Sequence, residues 1–202
     1  MLREDSLIVL APMEGVLDFY LRDIMTAIGG YDFCVTEFIR VTDKLLPLKV
    51  LRRYCPEIDM GFKTRHGTPV IVQFLGGQPH PLAENAAQAA EAGAQHIDLN
   101  FGCPAPTVNR HDGGATLLKF PERVFAIVST VRNALPESIT LSAKMRLGYQ
   151  NTDLALENAR AVEVAGAQRL TVHARTKMQA YQPPAYGEWI EKIRGAIGIP
   201  VI

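Results

Sequence analysis

Short apolar runs alternate with amphipathic stretches from one end of the chain to the other, and this alternation narrows the fold more than any other feature. Residues 7–10, 33–36, 69–74, 97–100, 139–144 and 170–173 read as strands, and 199–202 begins a seventh. Helical patterns lie at 17–28, 45–51, 81–92, 122–133, 153–165 and 189–197. Gly29-Gly30 closes the first helix, Pro81 opens the third, and Asp153 sits near the start of the fifth, where an acidic side chain suits the dipole. The strands are almost continuously apolar, which marks a parallel sheet. Two connectors echo each other: Ala92-Gly93-Ala94-Gln95 and Ala165-Gly166-Ala167-Gln168 each carry a helix into the next strand. Repeated α/β units of this kind predict a (β/α)8 barrel of the TIM type, incomplete at about six units plus the start of strand seven. No Gly-x-Gly-x-x-Gly follows the first strand, which argues against a Rossmann dinucleotide domain.

With 202 residues the chain makes one large domain or most of one. Its formal charge is zero, so a nucleic-acid partner must be met by a local basic patch. The three cysteines (Cys34, Cys55, Cys103) include no Cys-x-x-Cys pair. They suggest neither a metal site nor a disulfide framework, and they fit a reducing cytoplasm. Met1-Leu2-Arg3-Glu4-Asp5 leads straight into a strand-like run without a signal peptide, and no apolar stretch reaches membrane-spanning length.

Chemistry concentrates after the fourth strand, in Asn100-Phe101-Gly102-Cys103-Pro104. Gly102 allows a tight backbone path and Pro104 stiffens the exit. At Gly113-Gly114 missing side chains would let a bulky ligand approach the backbone. A thiol at the end of a strand in such a loop is a candidate reactive group; a small buried packing cysteine is the competing reading. Other strand ends carry polar groups too: Met13 and Glu14, Glu37 and Arg40, Gln73, Lys144 and Arg146, His173 and Arg175. In a barrel these fall on one rim, where such folds keep their sites. Gln73, Lys144 and His173 offer donors suited to the edge of a planar, electron-accepting ring. Taken alone, Lys144 fits a Schiff-base lysine equally well, and spacing does not separate the two.

Asn-x-Gly-Cys-Pro after a strand resembles the catalytic loop of the tRNA-dihydrouridine synthases, flavin enzymes that reduce uridine in tRNA. Leu10-Ala11-Pro12-Met13 is similar to the flavin-stacking start of that family, and the match runs from Leu7 to Ile202. The resemblance implies FMN as cofactor and NADPH as reductant. Pro12, Met13, Glu14, Gln73, Lys144 and His173 would hold FMN, and Asn100 and Arg146 the target uracil. Hydride would pass from reduced FMN to C6 of the uracil, and Cys103 would give a proton to C5. Thr36-Glu37-Phe38-Ile39-Arg40 resembles the subgroup acting near position 16 of the D-loop, with Arg40 its tRNA-contacting mark. Thr116-Leu117-Leu118 and the segment from His173 to Lys177, with Tyr181 beyond, fit the same subgroup. Arg40, Arg110, Arg146, Arg175 and Lys177 could edge a basic cleft for tRNA, whereas Lys63 and Arg65 read as solvated surface.

The family continues past Ile202 into strands seven and eight and a helical tRNA-binding domain. The chain therefore reads as the N-terminal part of a flavin-binding catalytic domain, monomeric when full length, that could by itself be inactive. The rival readings are a small-molecule flavin oxidoreductase of the dihydroorotate dehydrogenase or enoate reductase type, and an inactive RNA-binding or scaffold fragment. Glu37, Arg40 and the Asn-Phe-Gly-Cys-Pro element weigh against the first, and zero net charge does not favour the second.

Overall fold

The structure is a computed structural model that describes residues 7–202. The run from Met1 to Asp5, in which no signal peptide was read, lies outside the described residues. Strands β1 (Val9–Leu10), β2 (Phe33–Val35), β3 (Ile39–Arg40), β4 (Val70–Leu75), β5 (His96–Phe101), β6 (Thr140–Arg146) and β7 (Arg169–His173) form one sheet. Every neighbouring pair is parallel, in the order β1-β2-β4-β5-β6-β7, with β3 also against β4. The sheet curls into a half-barrel. Val201 bridges in parallel to Leu170, so the run at 199–202 has begun to pair beyond β7.

Among the described residues seven helices accompany the strands: α1 (Phe19–Ile28), α2 (Leu48–Tyr54), α3 (Pro79–Glu91), α4 (Pro106–Asn109), α5 (Pro121–Ala134), α6 (Ala155–Val164) and α7 (Glu188–Arg194). Two 3-10 turns lie at Pro56–Met60 and Gly114–Lys119. Asp18 caps α1 by accepting from the Leu21 N–H at 2.9 Å, a bond that an apolar cap could not make. Alanines at 83, 86 and 89 give α3 a smooth inner face. They let it pack on β4, β5 and α5, whose own inner face carries Val124, Ile127, Val128 and Val131. The helix expected at 45–51 begins instead at Leu48, because Pro47 disfavours the helical conformation at Leu46.

The sequence reading stopped the second strand at Thr36 and missed β3. The register explains why. Cys34 pairs with Val70 and Ile39 with Phe74, so five steps on one strand face four on the other. The extra residue, taken up between Thr36 and Phe38, breaks the apolar run as a bulge does. It also turns Glu37 toward the first strand-end loop, where its carboxylate accepts from the Gly15 N–H.

That loop is anchored from behind by Arg22, which is fully buried in α1. Its Nε and Nη2 meet the Glu57 carboxylate at 2.8 and 2.9 Å, Nη1 donates to the Leu17 carbonyl at 3.0 Å, and Nη2 to that of Tyr54 at 3.0 Å. Both partners of this ion pair are 0% exposed.

Candidate active site

The Cys103 loop is built around Asn100, near the end of β5. Its Oδ1 accepts from the backbone N–H groups of Gly102 and Cys103, both at 2.9 Å, which is what folds the chain back. The glycines have different duties from those expected. A Cβ at Gly102 would meet only ordinary contacts, so the tight path comes from Asn100. Gly114 has φ +59°, and a Cβ there would stand 2.7 Å from the Cys103 carbonyl oxygen. Its bareness admits the protein's own backbone, Ala115 N–H bonding that carbonyl at 3.1 Å, rather than a ligand. Asn109 of α4 also donates to the Cys103 and Ala105 carbonyls, at 3.0 and 2.8 Å.

Cys103 opens on a cleft of about 610 Å³, within the range of small-molecule sites. Met13, Glu14, Asn100, Lys144, Arg146, His173 and Tyr181 line it with Cys103, so most residues expected on one rim do converge. Phe38 and Val16 add apolar wall that the sequence reading passed over. Lys144 lies on the floor, shared with a small inner cavity of about 100 Å³ that Pro12 also lines. Among the described residues no side chain or carbonyl hydrogen-bonds its ammonium. Burial holds its pKa below the usual lysine range, Asp98 pulling the other way. A cation held in this manner suits an electron-rich ligand edge.

Two of the expected site residues, Gln73 and Arg40, sit elsewhere, and Arg146 has another duty. Gln73 is fully buried within β4, beneath the cleft rather than in it. Arg40 lines a separate cavity of about 720 Å³ with Arg110 and Arg123. Arg146 is 2% exposed and binds backbone carbonyls of two loops. Nε donates to Gly102 at 2.9 Å, and Nη1 to Thr176 and Ala180 at 3.1 and 2.8 Å. Its guanidinium carbon stands 5.3 Å from the centre of the exposed Tyr181 ring. Its first duty is to join the loops, and Nη2 is the end left over for a ligand. Arg65 pairs at 3.7 Å with Asp23 on the outside of α1, away from the cleft.

Under the cleft runs a chain of polar side chains. His96 Nε2 meets Ser142 Oγ at 2.8 Å, Ser142 donates to Asp98 Oδ1, Gln73 Nε2 donates to Asp98 Oδ2 at 2.7 Å, and Asn100 Nδ2 donates to Gln73 Oε1 at 2.8 Å. Register places these groups side by side: Gln73 pairs with Asp98, and Asp98 with Ser142. Asp98 was missed; a carboxylate in the middle of a buried strand was the available signal.

Electrostatics separate the titratable groups. Burial raises the Cys103 thiol above its usual value and Glu14 adds to this, while the Ala105 backbone N–H, Arg146 and Arg40 lower it. His173 is pushed down to about 4, by burial first and then by Arg146, Lys144 and Arg175. Arg175 Nη1 lies 3.0 Å from His173 Nε2, and an arginine only donates, so the neutral ring carries its proton on Nδ1. The His173 ring is therefore expected to titrate in NMR near pH 4, well below the ordinary midpoint of about 6.5. A midpoint near the ordinary value would mean a solvated ring with no fixed tautomer.

Residues 9–202 match the family model described as dihydrouridine synthase (Dus). The chain belongs to the dihydrouridine synthase family. Relatives described as tRNA-dihydrouridine(16) synthase agree. One from Pseudomonas syringae pv. tomato is 55% identical over 195 residues, covering 96% of this chain and 62% of the relative. Another from Neisseria meningitidis serogroup B is 54% identical, covering 98% and 60%. The chain thus spans about 60% of the length of these curated synthases. Among solved structures, an oxaloacetate acetylhydrolase shares the fold at TM-score 0.60 and 17% identity, covering 98% of this chain and 66% of the other. A 2,3-dimethylmalate lyase does so at 0.58 and 16%, with the same coverage.

Proposed function

We propose that this chain is the N-terminal part of an enzyme that reduces uridine 16 of tRNA to 5,6-dihydrouridine. The remaining barrel units and a helical tRNA-binding domain would complete it as a cytoplasmic monomer. An exposed apolar stripe on α1, Tyr20, Ile24 and Ile28, is the kind of face that such further units would cover. The observation that carries the reading is a buried thiol and a half-buried lysine without a hydrogen-bond partner lining one cleft, in a chain over half identical to tRNA-dihydrouridine(16) synthases.

FMN fits the ring end of this cleft: Met13 and Val16 give an apolar wall, and Lys144 and neutral His173 give polar groups at the edge. Pro12 and Glu14 would flank it, and Gln73 would act from beneath through Asn100. When bound and reduced by NADPH, FMN would supply the hydride that uracil C6 receives. The chain's own residues supply the rest. Asn100 has an amide N–H left for a uracil carbonyl, and Arg146, which lines the same cleft, would offer Nη2 to the same ligand. Cys103 delivers a proton to C5, so the C5=C6 bond gains two hydrogens and the thiol becomes a thiolate. Burial keeps the proton in place beforehand, and Arg40 and Arg146 stabilise the anion that remains. Arg40 and Arg110 on one side and Tyr181, Arg175 and Lys177 on the other would meet tRNA around the extruded base.

The full-length enzyme with FMN, NADPH and unmodified tRNA is expected to place dihydrouridine at position 16, read by mass spectrometry of tRNA fragments. NADPH oxidation driven by a free pyrimidine but not by tRNA would favour the small-molecule oxidoreductase.

A further inference from the structure

We infer that Asp98 is a positioning residue for the Cys103 loop, acting through the side-chain amides of Gln73 and Asn100. The inference rests on Cys103 as proton donor and concerns what holds that thiol in place. Asp98 is 4% exposed, and its two oxygens take the Ser142 hydroxyl and the Gln73 amide. Burial raises the Asp98 pKa, while the hydrogen bonds from Ser142 and Gln73 and the charges of Lys144 and Arg169 favour the ionised form, and an ionised carboxylate can only accept. Gln73 must therefore turn its NH₂ toward Asp98, which leaves its oxygen for Asn100. Asn100 must then turn its NH₂ toward Gln73, which leaves its oxygen for the Gly102 and Cys103 N–H groups.

Either amide alone could sit the other way round. The acceptor at the end of the chain removes that freedom from both. With Asn100 reversed, the two loop N–H groups would face another donor, and a half-buried donor without a partner is costly. The loop would then open and Cys103 would lose its burial.

Thiol alkylation reads this directly, because the thiolate is the reacting form. It is also independent of whether tRNA is the substrate. Cys34 and Cys55 serve as internal references: both are 0% exposed, and burial pushes Cys34 up to about 12 and Cys55 higher. In the full-length enzyme, site-resolved mass spectrometry would follow labelling against pH. Asp98→Asn alone is a poor probe, since the new amide could keep its oxygen on Gln73 while Ser142 donates to His96. Asp98→Leu removes the acceptor, and Gln73→Leu cuts the link between Asp98 and Asn100. Each is expected to raise Cys103 labelling at pH 8 on the order of tenfold, with Cys34 and Cys55 still silent. The exchange Gln73→Glu with Asp98→Asn moves the acceptor one link along the chain and is expected to restore wild-type labelling. Should Asp98→Leu not fold, Gln73→Leu against the exchange decides alone. Unchanged Cys103 labelling, equal labelling of all three cysteines, or an exchange variant as reactive as Gln73→Leu would each overturn the inference.

Discussion

Under the proposed function, Cys103→Ala in the full-length protein is expected to slow dihydrouridine formation by about 10²–10⁴-fold, the usual contribution of a positioned general acid. Affinity for tRNA and reduction of the bound cofactor by NADPH should stay near wild type, since neither needs a proton at C5. The size follows from the thiol's surroundings. Burial raises its pKa, so at neutral pH it is protonated, while Arg40 and Arg146 are at hand to stabilise the thiolate once the proton has gone. A cysteine kept only for packing would behave differently. Alanine would then cost about 1 kcal/mol of stability and leave the rate alone. Single-turnover assays with tRNA, beside a denaturation curve, separate the two, and an unchanged rate of dihydrouridine formation removes Cys103 from the chemistry.

Arg22→Ala is expected to destabilise the protein by about 3–5 kcal/mol, because it leaves the Glu57 carboxylate buried without a partner. The loss should exceed that of any exposed pair, such as Arg52 with Asp59 at 3.2 Å, where about 0–1 kcal/mol is at stake. The pair itself need not be a net gain. Replacing both partners by apolar residues of similar volume is expected to recover most of the loss, since the desolvation of two ions disappears with them. Urea unfolding of the single and double variants is the measurement. An Arg22→Ala loss under about 1 kcal/mol would mean that water reaches Glu57. Arg22 also holds the Leu17 carbonyl, so the single variant should loosen the loop that brings Met13 and Glu14 to the cleft.

The alternation of apolar runs made the parallel architecture legible, and the Asn100-to-Pro104 element marked the cleft before any coordinates. Local chemistry sufficed there: an asparagine two and three residues before the N–H groups it binds can be found in one loop. What stayed hidden depends on which strands become neighbours. Asp98 acquires its meaning only when Gln73, 25 residues away, and Ser142, 44 residues away, come alongside. The loop-joining duty of Arg146 stayed hidden because the carbonyls it occupies belong to loops 44, 30 and 34 residues distant. The Arg22–Glu57 pair spans 35 residues, with no periodicity to announce it. Arg40 was read at the end of the second strand; it ends β3 instead, and the bulge ahead of that strand sets it beside a different cavity.

The reach of Arg146 has a mechanical side. A single stiff, planar group bonds Gly102 on one loop and Thr176 and Ala180 on another, with the Tyr181 ring against it. Neither loop can swing out alone without breaking charge-assisted hydrogen bonds in a buried setting. The two loops are therefore tied into one unit, and a ligand that displaced the exposed Tyr181 side would pull on the backbone beside the thiol.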